Sequence, residues 1–224
     1  MIARELIDTA QIPGGGGELR LIRRGSEYSI MLGSNELMNS RLSGSEEALA
    51  RLAAERIGGS PRPLILIGGL GMGFTLRAAL AAVGPEARVE VAELVPAVVR
   101  WARGPLAHLF ELSLDDPRVR ILEADVAEPI AAGQGRYDAI LLDVDNGPDG
   151  LTVEANDRLY DEAGLRRARA ALRPGGVLGV WSSAPDKGFT GRLKRTGLAV
   201  EEFAVRATAA GKGGRHVIWI ATRR

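Results

Sequence analysis

The segment Leu64-Ile-Leu-Ile-Gly-Gly-Leu-Gly-Met-Gly-Phe-Thr-Leu-Arg77 constrains this chain more than any other. An apolar run without alternation ends in glycines and passes straight into a helical pattern. Such a run suits a parallel strand covered on both faces. Gly69, Gly71 and Gly73 let the main chain turn tightly and approach a ligand closely. The helix that follows offers free N–H groups at its start. Taken alone, the pattern equally describes a tight turn that packs helix on strand. The dinucleotide fingerprint needs glycine at its sixth position, where Phe74 stands, and this weighs against NAD.

The rest of the chain repeats that rhythm. Pro63–Ile67, Arg88–Ala92, Val119–Glu123, Ala139–Leu142 and Val177–Trp181 read as strands. Phe74–Ala82, Pro96–Arg103, Glu162–Leu172 and Lys187–Thr196 read as helices between them. The alternation predicts a doubly wound, mostly parallel α/β sheet. Ala199–Ala207 and His216–Thr222 leave no room for a crossover helix, so they should pair as an antiparallel hairpin at the sheet edge. Upstream, residues 1–17 read as a flexible lead-in ending in Gly14–Gly17, and Glu18–Arg23 with Tyr28–Leu32 as a β-hairpin. Ser43–Ile57 reads as a helix with Ser45 as its cap. The expected division is thus 1–43, lead-in and hairpin, and 44–224, a ligand-binding α/β domain.

Composition narrows the function. The 224 residues are 46% apolar and 25% charged, ordinary for a globular chain that needs no staples. The absence of cysteine excludes disulfides, thiolate metal sites and a cysteine nucleophile. Two histidines argue against a multi-histidine zinc centre, and no metal is expected. With 29 basic and 28 acidic residues there is no global footprint for nucleic acid. The long apolar stretch Pro63–Gly84 is broken by glycines and Arg77, so strand, turn and helix describe it better than a membrane span. Arg4, Glu5 and Asp8 at the start do not resemble a signal peptide, and a cytoplasmic location is the default expectation.

Acidic residues then fall at successive strand ends. Glu93 lies 24 residues beyond Gly69, where an acid in a Rossmann-like sheet can hold both ribose hydroxyls; an exposed strand-end acid is the plainer alternative. Glu90, three residues back, should face the other side of the sheet. Asp125 ends the third strand. Its carboxylate can accept from an adenine amino group while the Val126 N–H pairs with the ring edge, or it can simply cap a turn. Asp143-Val-Asp-Asn-Gly147 ends the fourth strand and can also be read as an acidic turn. Open α/β sheets bind ligands along this carboxyl edge, and it is the order of the four motifs that carries weight. His108, His216, Trp101, Trp181 and Trp219 read as packing residues. Tyr160 reads as packing or as a cover for the acceptor pocket.

The segments LILIGGLGMGFTLR, VEVAELVPAVV, DPRVRILEAD, YDAILLDVDNGPDG and LYDEAGLRRARAALRPGGVLGVW resemble the spermidine synthase-like branch of the class I S-adenosylmethionine (SAM)-dependent methyltransferase fold. The resemblance implies about seven strands, the last antiparallel. It also implies that Gly69, Gly71 and Gly73 flank the methionine and ribose of SAM or decarboxylated SAM. Glu93 would hold the ribose, Asp125 and Val126 the adenine, and Asp143 would lie near the amino group and sulfonium. Asp143, Asp145 and Asn146 are the candidate catalytic residues. The family's first-motif aspartate falls on Met72, the second aspartate of its fourth motif on Asn146, and its Tyr-His-Glu on Ser45-Glu46-Glu47, which keeps only Glu47. A primary amine with pKa about 10.4 must lose a proton before it attacks, and Met72 and Asn146 offer no base. Methyl transfer to a small acceptor is therefore the first expectation. Aminopropyl transfer from decarboxylated SAM to a polyamine is the second, and a non-catalytic nucleotide-binding protein the third. The N-terminal hairpin resembles a family element that covers the active site and supports dimers, so a homodimer is expected.

Overall fold

The computed structural model describes residues 2–144, 147–148, 158–208 and 213–224. Its first part is a four-stranded antiparallel sheet, β1 (Glu5–Gln11), β2 (Glu18–Arg24), β3 (Glu27–Leu32) and β4 (Asn35–Asn39), in sequence order. Two of these strands correct the expectation of a lead-in and a hairpin. β1 pairs with β2 from Glu5↔Arg23 to Gln11↔Glu18, and β4 pairs with β3. Every β1 side chain except Ile7 and Ala10 is exposed. An edge strand of that kind carries no alternation to read.

Helix α1 (Gly44–Ile57) leads into the main sheet. Its cap position is Ser43, not Ser45; Ser45 is buried inside the first turn. The main sheet comprises β5 (Leu64–Gly68), β6 (Arg88–Glu93), β7 (Val119–Glu123), β8 (Tyr137–Leu142), β9 (Leu172–Ser182), β10 (Leu198–Arg206) and β11 (Arg215–Arg223), in the order β10-β11-β9-β8-β5-β6-β7. β5 to β9 pair in parallel; β11 is antiparallel to both β9 and β10. The chain runs outward from β5 to β7, then returns to place β8 on the other side of β5. That reversal is a topological switch point, where the loops at neighbouring strand ends part and leave a crevice.

Alternation along the strands divides the core. Ile65, Ile67, Val89, Val91, Leu141, Ile218 and Ile220 face α1, α2 (Phe74–Ala82), α3 (Pro96–Arg103) and the N-terminal sheet. Leu66, Ile140, Leu142, Leu178, Val180 and Trp219 face the other side, with Ile130 of α5 (Ala127–Ala132), Leu165 of α6 (Glu162–Ala171), and Phe189 and Leu193 of α7 (Lys187–Arg195). Each such aliphatic side chain, fully buried, contributes about 1.5–3 kcal/mol. A short helix α4 (Ala107–Phe110) brings Phe110 beneath the glycine loop. Glu90 lies on the opposite face from Glu93, as its spacing requires; it accepts from Arg136 at 2.6 Å and from the Tyr137 hydroxyl at 3.1 Å.

Candidate active site at the carboxyl edge

The glycine loop is fixed to its neighbours through the main chain. Gly69 N–H donates to Ala92 O at 2.9 Å, and Asp143 N–H donates to Gly68 O at 3.0 Å. Gly69 has φ +90°, and a Cβ there would sit 2.6 Å from the Asp143 carbonyl oxygen. Gly73 has φ +80° at the entry to α2, packed against the Phe110 ring. Glycine at these two positions satisfies both the left-handed backbone and the close approach.

Three acids then take their places by local bonding. The Glu93 carboxylate accepts from Leu70 N–H and from Val95 N–H, each at 2.9 Å. It therefore links the end of β6 to the glycine loop. Asp125 Oδ1 accepts from Ala127 N–H at 2.8 Å, which orients its carboxylate at the start of α5. Asp143 Oδ2 accepts from the Thr75 hydroxyl at 2.5 Å.

Gly69, Gly71, Glu93, Asp125, Val126 and Asp143 all line one crevice of about 100 Å³. Gly73 lines the adjoining recess instead. Ile12, Leu19, Ile30, Leu37 and Met38 of the N-terminal segment roof the crevice. Typical small-molecule pockets hold roughly 300–1,000 Å³, so the crevice under this roof is narrow. Asp145 and Asn146 lie outside the described residues.

The adjoining recess, about 40 Å³, is lined by Glu46, Asp143, Leu37, Met38, Met72 and Trp181 among others. Glu46 is the acid that the sequence reading passed over in favour of Glu47. Glu47 lines a separate outer groove with Arg51 and Arg77. The reason is helical: successive residues point about 100° apart. Burial, and then the charge of Asp143, push the Glu46 carboxyl up to about 7. Burial pushes Asp143 up to about 6, opposed by the bond from Thr75. Two carboxylates in one poorly hydrated recess do not both ionise freely, and the pair titrates as a unit. Ser45 Oγ lies 2.6 Å from Glu46 Oε2 and 2.8 Å from His216 Nδ1. Met72, at the position of the family's first-motif aspartate, is buried at 3% exposure. Tyr160 packs edge-on against Phe189 at 5.8 Å, within the core.

Among the described residues no three histidine, aspartate or glutamate side chains converge as a metal centre would. No helix among them is long and apolar enough to cross a membrane.

A Rossmann-like sheet with an antiparallel last strand, glycine loop and acidic strand ends is the class I SAM-dependent methyltransferase fold. Comparison with known proteins narrows the class. Over 162 residues the chain is 32% identical to polyamine aminopropyltransferase 1 of Streptomyces coelicolor, covering 69% of this chain and 30% of that protein. It is 35% identical over 120 residues to putrescine N-methyltransferase 4 of Nicotiana tabacum, covering 53% of this chain and 29% of that one. A spermidine synthase solved in complex with the transition state analogue AdoDATO superposes with a TM-score of 0.76 at 20% identity, over 98% of this chain and 72% of that chain. No family model matches the chain. The chain belongs to the spermidine synthase-like family. It spans about 30% of the length of the curated relatives it matches.

Proposed function

We propose that this chain binds a SAM-type sulfonium nucleoside in the crevice and transfers an alkyl group to an amine of the polyamine class, with aminopropyl transfer from decarboxylated SAM ahead of methyl transfer. The sequence put methyl transfer first because Met72 and Asn146 offer no base. The names of the relatives favour the other order. The observation that carries the reading is the junction of the two spaces. Leu37, Met38, Gly71 and Asp143 line both the crevice and the acidic recess. A donor lying across the glycine loop would thus present its sulfonium next to carboxylates that attract an ammonium. An alkylamine is mostly protonated at pH 7, with pKa about 10.4, so such a recess both collects it and can take its proton.

The donor would lie with its ribose toward Glu93 and its adenine toward Asp125 and the Val126 N–H. Each carboxylate oxygen has a second lone pair beyond its main-chain bond, which leaves room for a hydroxyl or amino donor. Methyl transfer from SAM is the second reading. It is favoured by the apolar Met72 in the recess and by the putrescine N-methyltransferase relative.

The test is calorimetry with SAM, S-adenosylhomocysteine and decarboxylated SAM, followed by mass analysis after incubation with putrescine. Methylthioadenosine and an aminopropylated amine are expected. S-adenosylhomocysteine and a methylated amine would select the second reading. Binding without product would select a non-catalytic nucleotide-binding role, and no binding at millimolar ligand would end the proposal.

A further inference from the structure

Behind the acidic recess stands a bonded row of side chains: Glu46, Ser45 and His216, with 2.6 Å between the first two and 2.8 Å between the last two. Ser45 is fully buried at 0% exposure, and His216 is half-buried at the start of β11. The imidazole is set edge-on to the Trp181 ring, with centroids 4.9 Å apart. Trp181 lines the same recess, and its buried indole N–H has no acceptor among the described residues. The rest of the wall includes the apolar Leu37, Met38, Leu70, Met72 and Phe74 and the polar Asn39. A cavity needs roughly 10–15 Å³ to hold one water. At about 40 Å³ the recess takes an ammonium head and little solvent besides. The Glu46–Ser45–His216 row offers a proton released there a bonded path away from the recess.

We propose that Glu46 takes the proton from the acceptor amine and passes it through the Ser45 hydroxyl to His216, which releases it to solvent. The proposal rests on the amine-alkylating reading above. The ammonium gives one proton to Glu46. The freed lone pair forms the new C–N bond as the C–S bond breaks, and its electron pair stays on sulfur as a neutral thioether. The alkylated nitrogen ends as an ammonium, so one proton leaves in each turnover, by the Glu46–Ser45–His216 route.

The groups that bear on Glu46 are Asp143 and Glu47, with His216 acting through Ser45. Their effects run in the required direction. With Glu46 raised to about 7, an amine at about 10.4 stands about 3 pH units above its acceptor rather than about 6. Burial lowers the His216 pKa, which favours the neutral imidazole. The Ser45 hydroxyl donates to the Glu46 carboxylate; once Glu46 is protonated that hydrogen is free to turn to Nδ1 of the Nε2–H tautomer. Asp143, which keeps its bond from Thr75, remains to hold the cation.

The experiment uses the full chain with whichever donor and amine it turns over. In Glu46→Gln, kcat at pH 7 should fall about 100-fold or more, the acid limb of the kcat profile should disappear, and donor affinity should stay within about threefold. In Ser45→Ala, kcat should fall about tenfold, and Ser45→Thr should restore most of it by returning the hydroxyl. Carbon-13 NMR of the carboxyl groups supplies a readout without turnover. One glutamate should titrate near neutrality in the wild type and be missing from Glu46→Gln, and the His216 titration should move in that variant. Glu46→Gln with kcat within about twofold of wild type and an unchanged acid limb would overturn the proposal. So would a spectrum in which no glutamate titrates near neutrality. If the wild type turns over no donor and amine, the transferase reading fails and the transfer from an amine fails with it, while the NMR titrations still decide separately whether Glu46 and His216 exchange a proton through Ser45.

Discussion

In the crevice, Glu93 accepts from two main-chain N–H groups; in the recess beside it, Glu46 bonds a hydroxyl and shares its space with Asp143. The main-chain donors cannot move without moving a loop, so Glu93 is held in one place and holds Leu70 and Val95 in return. The Ser45 hydroxyl can turn its proton either way, which suits a group that changes protonation state. The contrast shows how a strand end and a helix start supply a fixed anchor and a titrating group from the same kind of side chain. What differs is the donor type and the company of a second carboxylate.

Substitutions can break this contrast, and the largest effect should come from the loop that both spaces share. Gly69→Ala forces a Cβ to 2.6 Å from a main-chain oxygen and imposes left-handed strain. A loss of about 3–5 kcal/mol in denaturant unfolding is expected, with donor binding abolished. Glu93→Ala leaves two buried N–H groups without that carboxylate. It should cost about 2–4 kcal/mol of stability and at least about tenfold in donor affinity by calorimetry. Unchanged stability there would show that the anchor is not structural.

The titrating side is sharpened by pH. The folded-state pKa values of Glu46 and Asp143 are raised above their ordinary 4.5 and 3.8. The folded chain therefore binds more protons than the unfolded one in the window between. The stability these two groups contribute is full below about pH 4 and is lost as pH rises to about 7. Across that window, the wild type should lose on the order of 1–2 kcal/mol more than Glu46→Gln does, measured by urea unfolding at several pH values. The smallest effect belongs to Asp125→Ala. Loss of the bond to Ala127 N–H should cost about 1 kcal/mol, while affinity for adenine-containing ligands falls more than affinity for methionine alone.

The parts legible in the sequence are those where local pattern and final environment agree. β5 and α2 are legible because an unbroken apolar run is buried on both faces and glycine follows it at once. The terminal hairpin is legible because Thr208–Arg215 is too short for a crossover. β1 was not, because it is an exposed edge strand whose pairing with β2 decides its shape. Glu46 was not either. An acid in the first turn of a helix usually reads as a surface group favoured by the helix dipole. What makes it part of a site is His216, which is 171 residues away from Ser45 and is delivered by the last strand. The one available signal was the placement of Ser45-Glu46-Glu47 on the family's polar triplet, and one-to-one matching there selected Glu47 rather than its neighbour.

The position of β11 has a further consequence. It lies between β9 and β10, so β10 reaches the sheet only through it. During synthesis on the ribosome, β9 keeps a bare edge until residues 215–223 emerge, and β10 waits without a neighbour. A bare edge invites pairing with other chains. Pairing of β11 with β9 thus covers that bare edge and brings His216 to Ser45 in one step.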